Sequence, residues 1–127
     1  MAKIVVDASA LLALLNAEQG ADVVAEALQS AVISTVNLSE VVAKLCDAGM
    51  PVKAVRQALP SLGLRVEPFD EEQAYAAGFL RDATKSAGLS LGDRCCLGLA
   101  QTLGVPVLTA DKTWAELPLK VTVKVIR

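Results

Sequence analysis

The chain has 127 residues, of which 54% are apolar and only 3% aromatic, with a net charge of −2. This length buries roughly two-thirds of the unfolded surface in one core, so a single domain over residues 1–127 is expected and disorder is excluded. An acidic pI of about 5.1 lacks the broad basic footprint of an extended nucleic-acid binder, and the shortage of aromatic rings argues against a base-stacking RNA module.

Lys3-Ile4-Val5-Val6 is short, β-branched and without alternation, the pattern of a parallel strand buried on both faces. Asp7 follows it and interrupts what would otherwise read as the apolar region of a signal peptide. Residues 8–15 turn to Ala and Leu, favouring a helix, and residues 21–28 carry helical spacing. Residues 31–34 predict a second strand. An amphipathic helix is expected over residues 37–48, closed by Gly49. At its start, Asn37-Leu38-Ser39-Glu40 has the spacing of a capping box. Pro51 opens the next helix, which stops near residues 60–63.

Residues 64–68 read as an edge strand, where Pro68 is tolerated. Asp70 begins a long helix expected to reach about Ser86. Ser90-Leu91-Gly92-Asp93 resembles a capping box for a helix over residues 91–103, ended by Gly104. Residues 105–109 and 121–126 supply the fourth and fifth strands. Alternating strands and helices predict a mostly parallel sheet covered on both faces. No stretch approaches the ~20 apolar residues of a membrane span.

The absence of histidine removes Ser-His-Asp hydrolysis, paired-imidazole RNA cleavage and any His-bearing zinc site. Cys46, Cys95 and Cys96 are too few and wrongly spaced for a zinc cluster. They are expected to be reduced, buried thiols of a cytosolic protein.

Four carboxylates stand where the chain passes from strand or loop into a helix: Asp7, Glu40, Asp93 and Asp111. Asp7 and Asp111 end strands at the same edge of the expected sheet, the edge where open α/β sheets bind ligands. Glu40 and Asp93 open helices beside that edge. Each acid has a use as a helix cap, and helix N-termini keep carboxylates ionised, so capping and metal binding are compatible. Gathered together, the four repel one another unless a cation lies between them. Mg²⁺ takes a few carboxylates and keeps several waters, the apparatus of metal-assisted phosphodiester hydrolysis. Ser9 and Thr109 are placed either to orient a carboxylate or to bond the local backbone. Arg94 is placed to steady a phosphate or to make an ion pair.

The segments Val5-Val6-Asp7-Ala8-Ser9-Ala10-Leu11-Leu12, Asn37-Leu38-Ser39-Glu40-Val41, Leu89-Ser90-Leu91-Gly92-Asp93-Arg94 and Leu108-Thr109-Ala110-Asp111, in this order, resemble the PIN-domain nucleases. Within them, the chain resembles the VapC-type toxins of type II toxin–antitoxin pairs. The resemblance implies an α/β/α sandwich and Mg²⁺- or Mn²⁺-dependent endoribonuclease activity in the cytoplasm. It also implies that Asp7 and Asp93 are direct metal ligands, with Glu40 and Asp111 completing the acidic pocket. A homodimer held by a small VapB-like antitoxin is the implied assembly. With no histidine, Glu40 is the available proton acceptor, and hydrolysis by water leaves 3′-hydroxyl and 5′-phosphate ends. Leu11, Leu12, Leu14, Leu15, Val41, Val42 and Leu45 form either core or an apolar strip for an antitoxin helix.

Three alternatives stand beside this reading. One is a PIN nuclease of RNA maturation without an antitoxin. Another is a Mg²⁺-binding receiver-like signalling domain, which lacks here a paired early acid and a well-placed late lysine. The third is an aspartyl phosphatase, which would need an acid two residues beyond Asp7, where Ser9 stands.

Overall fold

The computed structural model describes residues 2–127. Strands β1 (Ile4–Val6), β2 (Ala31–Ser34), β3 (Arg65–Glu67), β4 (Val107–Thr109) and β5 (Val123–Val125) form one sheet in the order β3-β2-β1-β4-β5. Every neighbouring pair is parallel. The crossovers are made by helices α1 (Ala8–Leu15), α2 (Ala21–Ala27), α3 (Thr35–Asp47), α4 (Val52–Ser61), α5 (Glu71–Phe79), α6 (Arg81–Thr84) and α7 (Leu91–Leu103).

Both faces of the sheet are covered, as an all-parallel sheet requires. Strand side chains alternate between the layers. Ile4, Val6, Ala31, Ile33 and Leu108 meet Leu11, Val24, Val41, Leu45 and Val55 on one side. Val5, Val32 and Val107 meet Leu80, Cys96, Leu97, Leu99 and Trp114 on the other. The result is a three-layer α/β/α sandwich.

The chain lays β2 and β3 outward on one side of β1, then returns to place β4 and β5 on the other. Such a reversal opens a crevice beyond the carboxyl ends of the two central strands, β1 and β4, where ligands bind in open α/β sheets. The flavodoxin-like order of receiver domains puts β2 at the sheet edge. Here β2 is internal and β3 takes the edge, which sets the receiver reading aside.

Local departures from expectation have identifiable causes. Helix α3 begins at Thr35, with Ser34 as its cap accepting from the Val36 N–H. Asn37 therefore lies inside the first turn, and the Asn37–Glu40 spacing is not a capping box. The long helix expected from Asp70 breaks at Leu80 into α5 and α6. Arg94 Nη1 donates to the Ala77 carbonyl at 3.1 Å, the group that would accept the Arg81 N–H in an unbroken helix. Thr84 Oγ1 donates to the Leu80 carbonyl at 2.7 Å, a back-bond that bends helices. By contrast, α7 has the expected bounds, its Ser90–Asp93 capping box and Gly104 as a left-handed cap at φ 67°.

Leu11, Val41 and Leu45 belong to the core, whereas Leu12, Leu14, Leu15 and Val42 are only partly covered. Two of the few aromatic rings, Tyr75 and Phe79, are exposed on α5 with centroids 6.0 Å apart; low aromatic content did not put every ring inside. Among the described residues, no helix is long and apolar enough to cross a membrane.

The cysteines divide. Cys95 and Cys96 are buried as expected, but Cys46 is exposed on α3. Burial pushes the Cys95 thiol up to about 11 and Cys96 well above its ordinary value, so neither supplies the reactive thiolate. An aromatic disulfide reagent at mildly alkaline pH should titrate one thiol rapidly in the native protein, with Cys46→Ser abolishing that phase. The other two should react only on unfolding; three rapid thiols would contradict this packing.

Candidate active site

Asp7, Glu40, Asp93 and Asp111 line one cleft, together with Ser9, Asn37, Lys44 and Trp114. The topology assembles them. Asp7 leaves β1 and Asp111 lies just beyond β4, which is hydrogen-bonded to β1. Glu40 projects from α3, which follows β2 directly, and Asp93 sits in the first turn of α7.

Asp7 is the deepest of the four, 5% exposed. Its Oδ1 accepts from the Ala10 N–H at 2.8 Å, capping α1. The Ser9 hydroxyl lies 2.8 and 2.9 Å from its two oxygens, and Thr109 Oγ1 donates to Oδ2 at 2.6 Å. Ser9 and Thr109 fill both of the roles open to them. Each also accepts a backbone N–H, from Ala110 at 2.9 Å and Asp111 at 3.0 Å respectively.

Desolvation nonetheless raises the Asp7 pKa above the ordinary carboxylate value. The three hydrogen bonds oppose that rise and the nearby Asp93 charge adds to it. Asp93 Oδ2 accepts from the Ser90 N–H at 3.0 Å. Asp111 Oδ1 accepts from the Thr113 N–H and hydroxyl, capping a short 3₁₀ turn over Lys112–Glu116. Three of the four cleft acids are thus also helix-capping groups.

Glu40 is held differently. Its Oε1 accepts from Asn37 Nδ2 at 2.8 Å, and the same amide donates to the Gly92 carbonyl at 2.9 Å. Asn37 is 1% exposed and its Oδ1 has no protein partner among the described residues, so the amide is held by its two Nδ2 contacts. Sequence reading placed Asn37 only as a cap and passed over Lys44, which stands four residues beyond Glu40, one turn along the same helix face. Arg94 does not line the cleft; its guanidinium is turned to α5.

The donor set suits a hard cation. The two candidate ligands, Asp7 and Asp93, are carboxylates, as are the other two cleft acids, and Asp7 is buried against its own charge. Among the described residues, no three His, Cys, Asp or Glu side chains are gathered closely enough to hold a metal ion as a group. A cation that keeps several of its waters needs only one or two protein carboxylates.

The fold and this cleft define a class. The family model described as PIN domain matches residues 4–120, and the chain belongs to the PIN-domain family. Among curated proteins, it is 35% identical over 114 residues to Ribonuclease VapC42 of Mycobacterium tuberculosis and to a VapC ribonuclease of Mycobacterium bovis. Each alignment spans 82% of this chain and 87% of the relative. A toxin-antitoxin complex from Klebsiella pneumoniae superposes with a TM-score of 0.78 at 21% identity, over 98% of each chain. VapC20 of M. tuberculosis, described as a sarcin-ricin loop cleaving toxin, gives 0.73 at 21% identity, over 94% of this chain and 99% of that one.

The Asp7 charge has a stability consequence. A carboxyl whose folded pKa lies above its unfolded value binds its proton more tightly when folded. It therefore takes stability away as pH rises through the window above the ordinary carboxylate value. Metal-free protein should lose a few degrees of Tm across that window, and Asp7→Asn, which keeps a capping residue, should flatten the loss. Identical pH profiles for the two proteins in calorimetry with a chelator would contradict the assignment.

Proposed function

We propose that the chain is a divalent-metal-dependent endoribonuclease and the toxin of a type II toxin–antitoxin pair, acting in the cytoplasm as a homodimer held by a VapB-like antitoxin. The observation that carries the reading is the buried Asp7 carboxylate at the strand reversal, in a cleft that Glu40, Asp93 and Asp111 also line. Relationship to the VapC ribonucleases supports the activity. Likeness to toxin-antitoxin complexes supports the partner.

In this reading, Asp7 and Asp93 would hold a Mg²⁺ ion, for which Mn²⁺ would substitute, and Glu40 and Asp111 complete the acidic wall. The chemistry such an ion supplies when bound is polarisation of the scissile phosphate and acidification of the attacking water. Ser9 and Thr109 fix the orientation of Asp7, so that its oxygens need no rearrangement on binding. Glu40 accepts the proton from water, as no imidazole is available. Cleavage leaves 3′-hydroxyl and 5′-phosphate ends. Lys44, which makes no ion pair among the described residues, meets a substrate phosphate in place of Arg94.

Induction of the chain in a bacterium beside its Asp93→Asn variant tests this directly. Growth arrest and new 5′-phosphate RNA ends are expected with the parent alone. Ends carrying 2′,3′-cyclic phosphate would refute the mechanism, and cleavage without arrest would favour a maturation nuclease. With a mapped RNA, Lys44→Ala should raise KM about tenfold and leave kcat nearly unchanged, the pattern of lost uniform binding.

The antitoxin helix is assigned to the apolar groove lined by Val42, Val52, Val55, Leu59 and Pro60, between α3 and α4. Val52 is 69% exposed there, whereas Leu45 is core and unsuitable for testing docking. Val42→Lys with Val52→Asp should abolish capture by the cognate antitoxin while RNA cleavage persists; undiminished capture would move the docking site elsewhere.

A further inference from the structure

Glu40 and Asp93 reach the cleft from α3 and α7, elements far apart in sequence, and one amide joins them. Both Nδ2 contacts of Asn37 are to acceptors, Glu40 Oε1 and the Gly92 carbonyl. Turning the amide over would set oxygen against oxygen twice, so its orientation is fixed. Gly92 contributes by what it lacks. A Cβ there would lie 2.7 Å from Glu40 Cδ and closer still to both carboxylate oxygens. Helix formation gives no reason for that glycine, since its φ is not positive and alanine is the better helix former. Its use is the space it leaves.

We propose that Asn37 and Gly92 are positioning residues for Glu40 in RNA cleavage: Asn37 pins the carboxylate, and Gly92 provides the seat it occupies one residue from Asp93. The assignment rests on reading Glu40 as part of the reaction site. An unpinned glutamate on a helix samples several rotamers. Misplacement of a catalytic group by about 1 Å costs on the order of 10²-fold in rate. Both residues act through Glu40, so their effects must vanish when Glu40 is gone.

The test uses a synthetic RNA carrying a mapped cleavage site, with Mn²⁺, and measures kcat and KM for Asn37→Ala, Gly92→Ala, Glu40→Ala and the Asn37→Ala/Glu40→Ala pair. Each positioning variant should lower kcat about 10- to 100-fold with KM within about twofold of the parent. Asn37→Ala should cost nothing more once Glu40 is alanine. Gly92→Ala separates site from stability, because its Tm should equal or exceed that of the parent while kcat falls. A readout independent of turnover is the Asn37 side-chain amide in NMR. One Nδ2 proton should shift in Glu40→Ala while its geminal partner, bonded to Gly92, stays. Parental kcat in both single variants, an equal loss in the Glu40→Ala background, or an unmoved Nδ2 proton would overturn the proposal. Parental kcat in Glu40→Ala would instead overturn the reading of the site beneath it.

Discussion

A carboxylate placed at the end of the central strand β1, out of reach of most solvent, sets the terms for everything around it. Asp7 still belongs to the ladder, its N–H donating to the Leu108 carbonyl at 3.2 Å. Its side chain therefore emerges where the sheet reverses winding, between α1, α3 and α7. Burying that charge demands donors, and the chain brings them from both sides: Ser9 and the Ala10 N–H from α1, Thr109 from β4. The two hydroxyls then accept from Ala110 and Asp111, so the route of the chain out of β4 is fixed by the same network. One desolvated charge thus organises the loop that carries a second acid. Hydrogen bonds offset part of the burial cost, and a bound cation would offset more.

Helix α7, which carries Asp93, is docked onto α5 by close backbone approach rather than by charge. Helix α7 runs against α5 so tightly that a Cβ on Gly98 would lie 3.2 Å from the Ala77 nitrogen. Arg94 spans the same contact to take the Ala77 carbonyl, leaving its buried Nε without a partner. A guanidinium is amphipathic, and its stem packs as well as its head bonds. Arg94 thereby docks two helices and ends one of them. The cation left facing the acids is Lys44, a compact charge on a flexible stem.

Much of this was legible in the chain. The apolar runs of β1 and β2 without alternation announced a sheet buried on both faces, and strand–helix alternation announced its parallel order. Ser90, Gly104 and Asp7 marked helix ends through local chemistry that does not depend on the rest of the fold. The four acids stood out because they occupied the same kind of position. What escaped depended on partners distant in sequence. The Asn37–Glu40 spacing is identical in a capping box and in the observed clamp; only Gly92, 55 residues from Asn37, distinguishes them. The break at Leu80 required Arg94, and the exposure of Cys46 required knowing which face of α3 met α4. Periodicity reports that a helix has a buried side, not which neighbours take the others.

Helix α3, a single 13-residue element, serves three neighbourhoods at once. Val41 and Leu45 are fastened into the core. Asn37, Glu40 and Lys44 face the acidic cleft, and Val42 and Cys46 face the apolar groove. With about 100° between successive residues, adjacent codons serve different surfaces. A substitution at Val42 or Cys46 therefore alters the groove without placing a new side chain in the cleft, and one at Glu40 or Lys44 does the reverse, within one rigid rod. The core stripe between them is the part that tolerates least change.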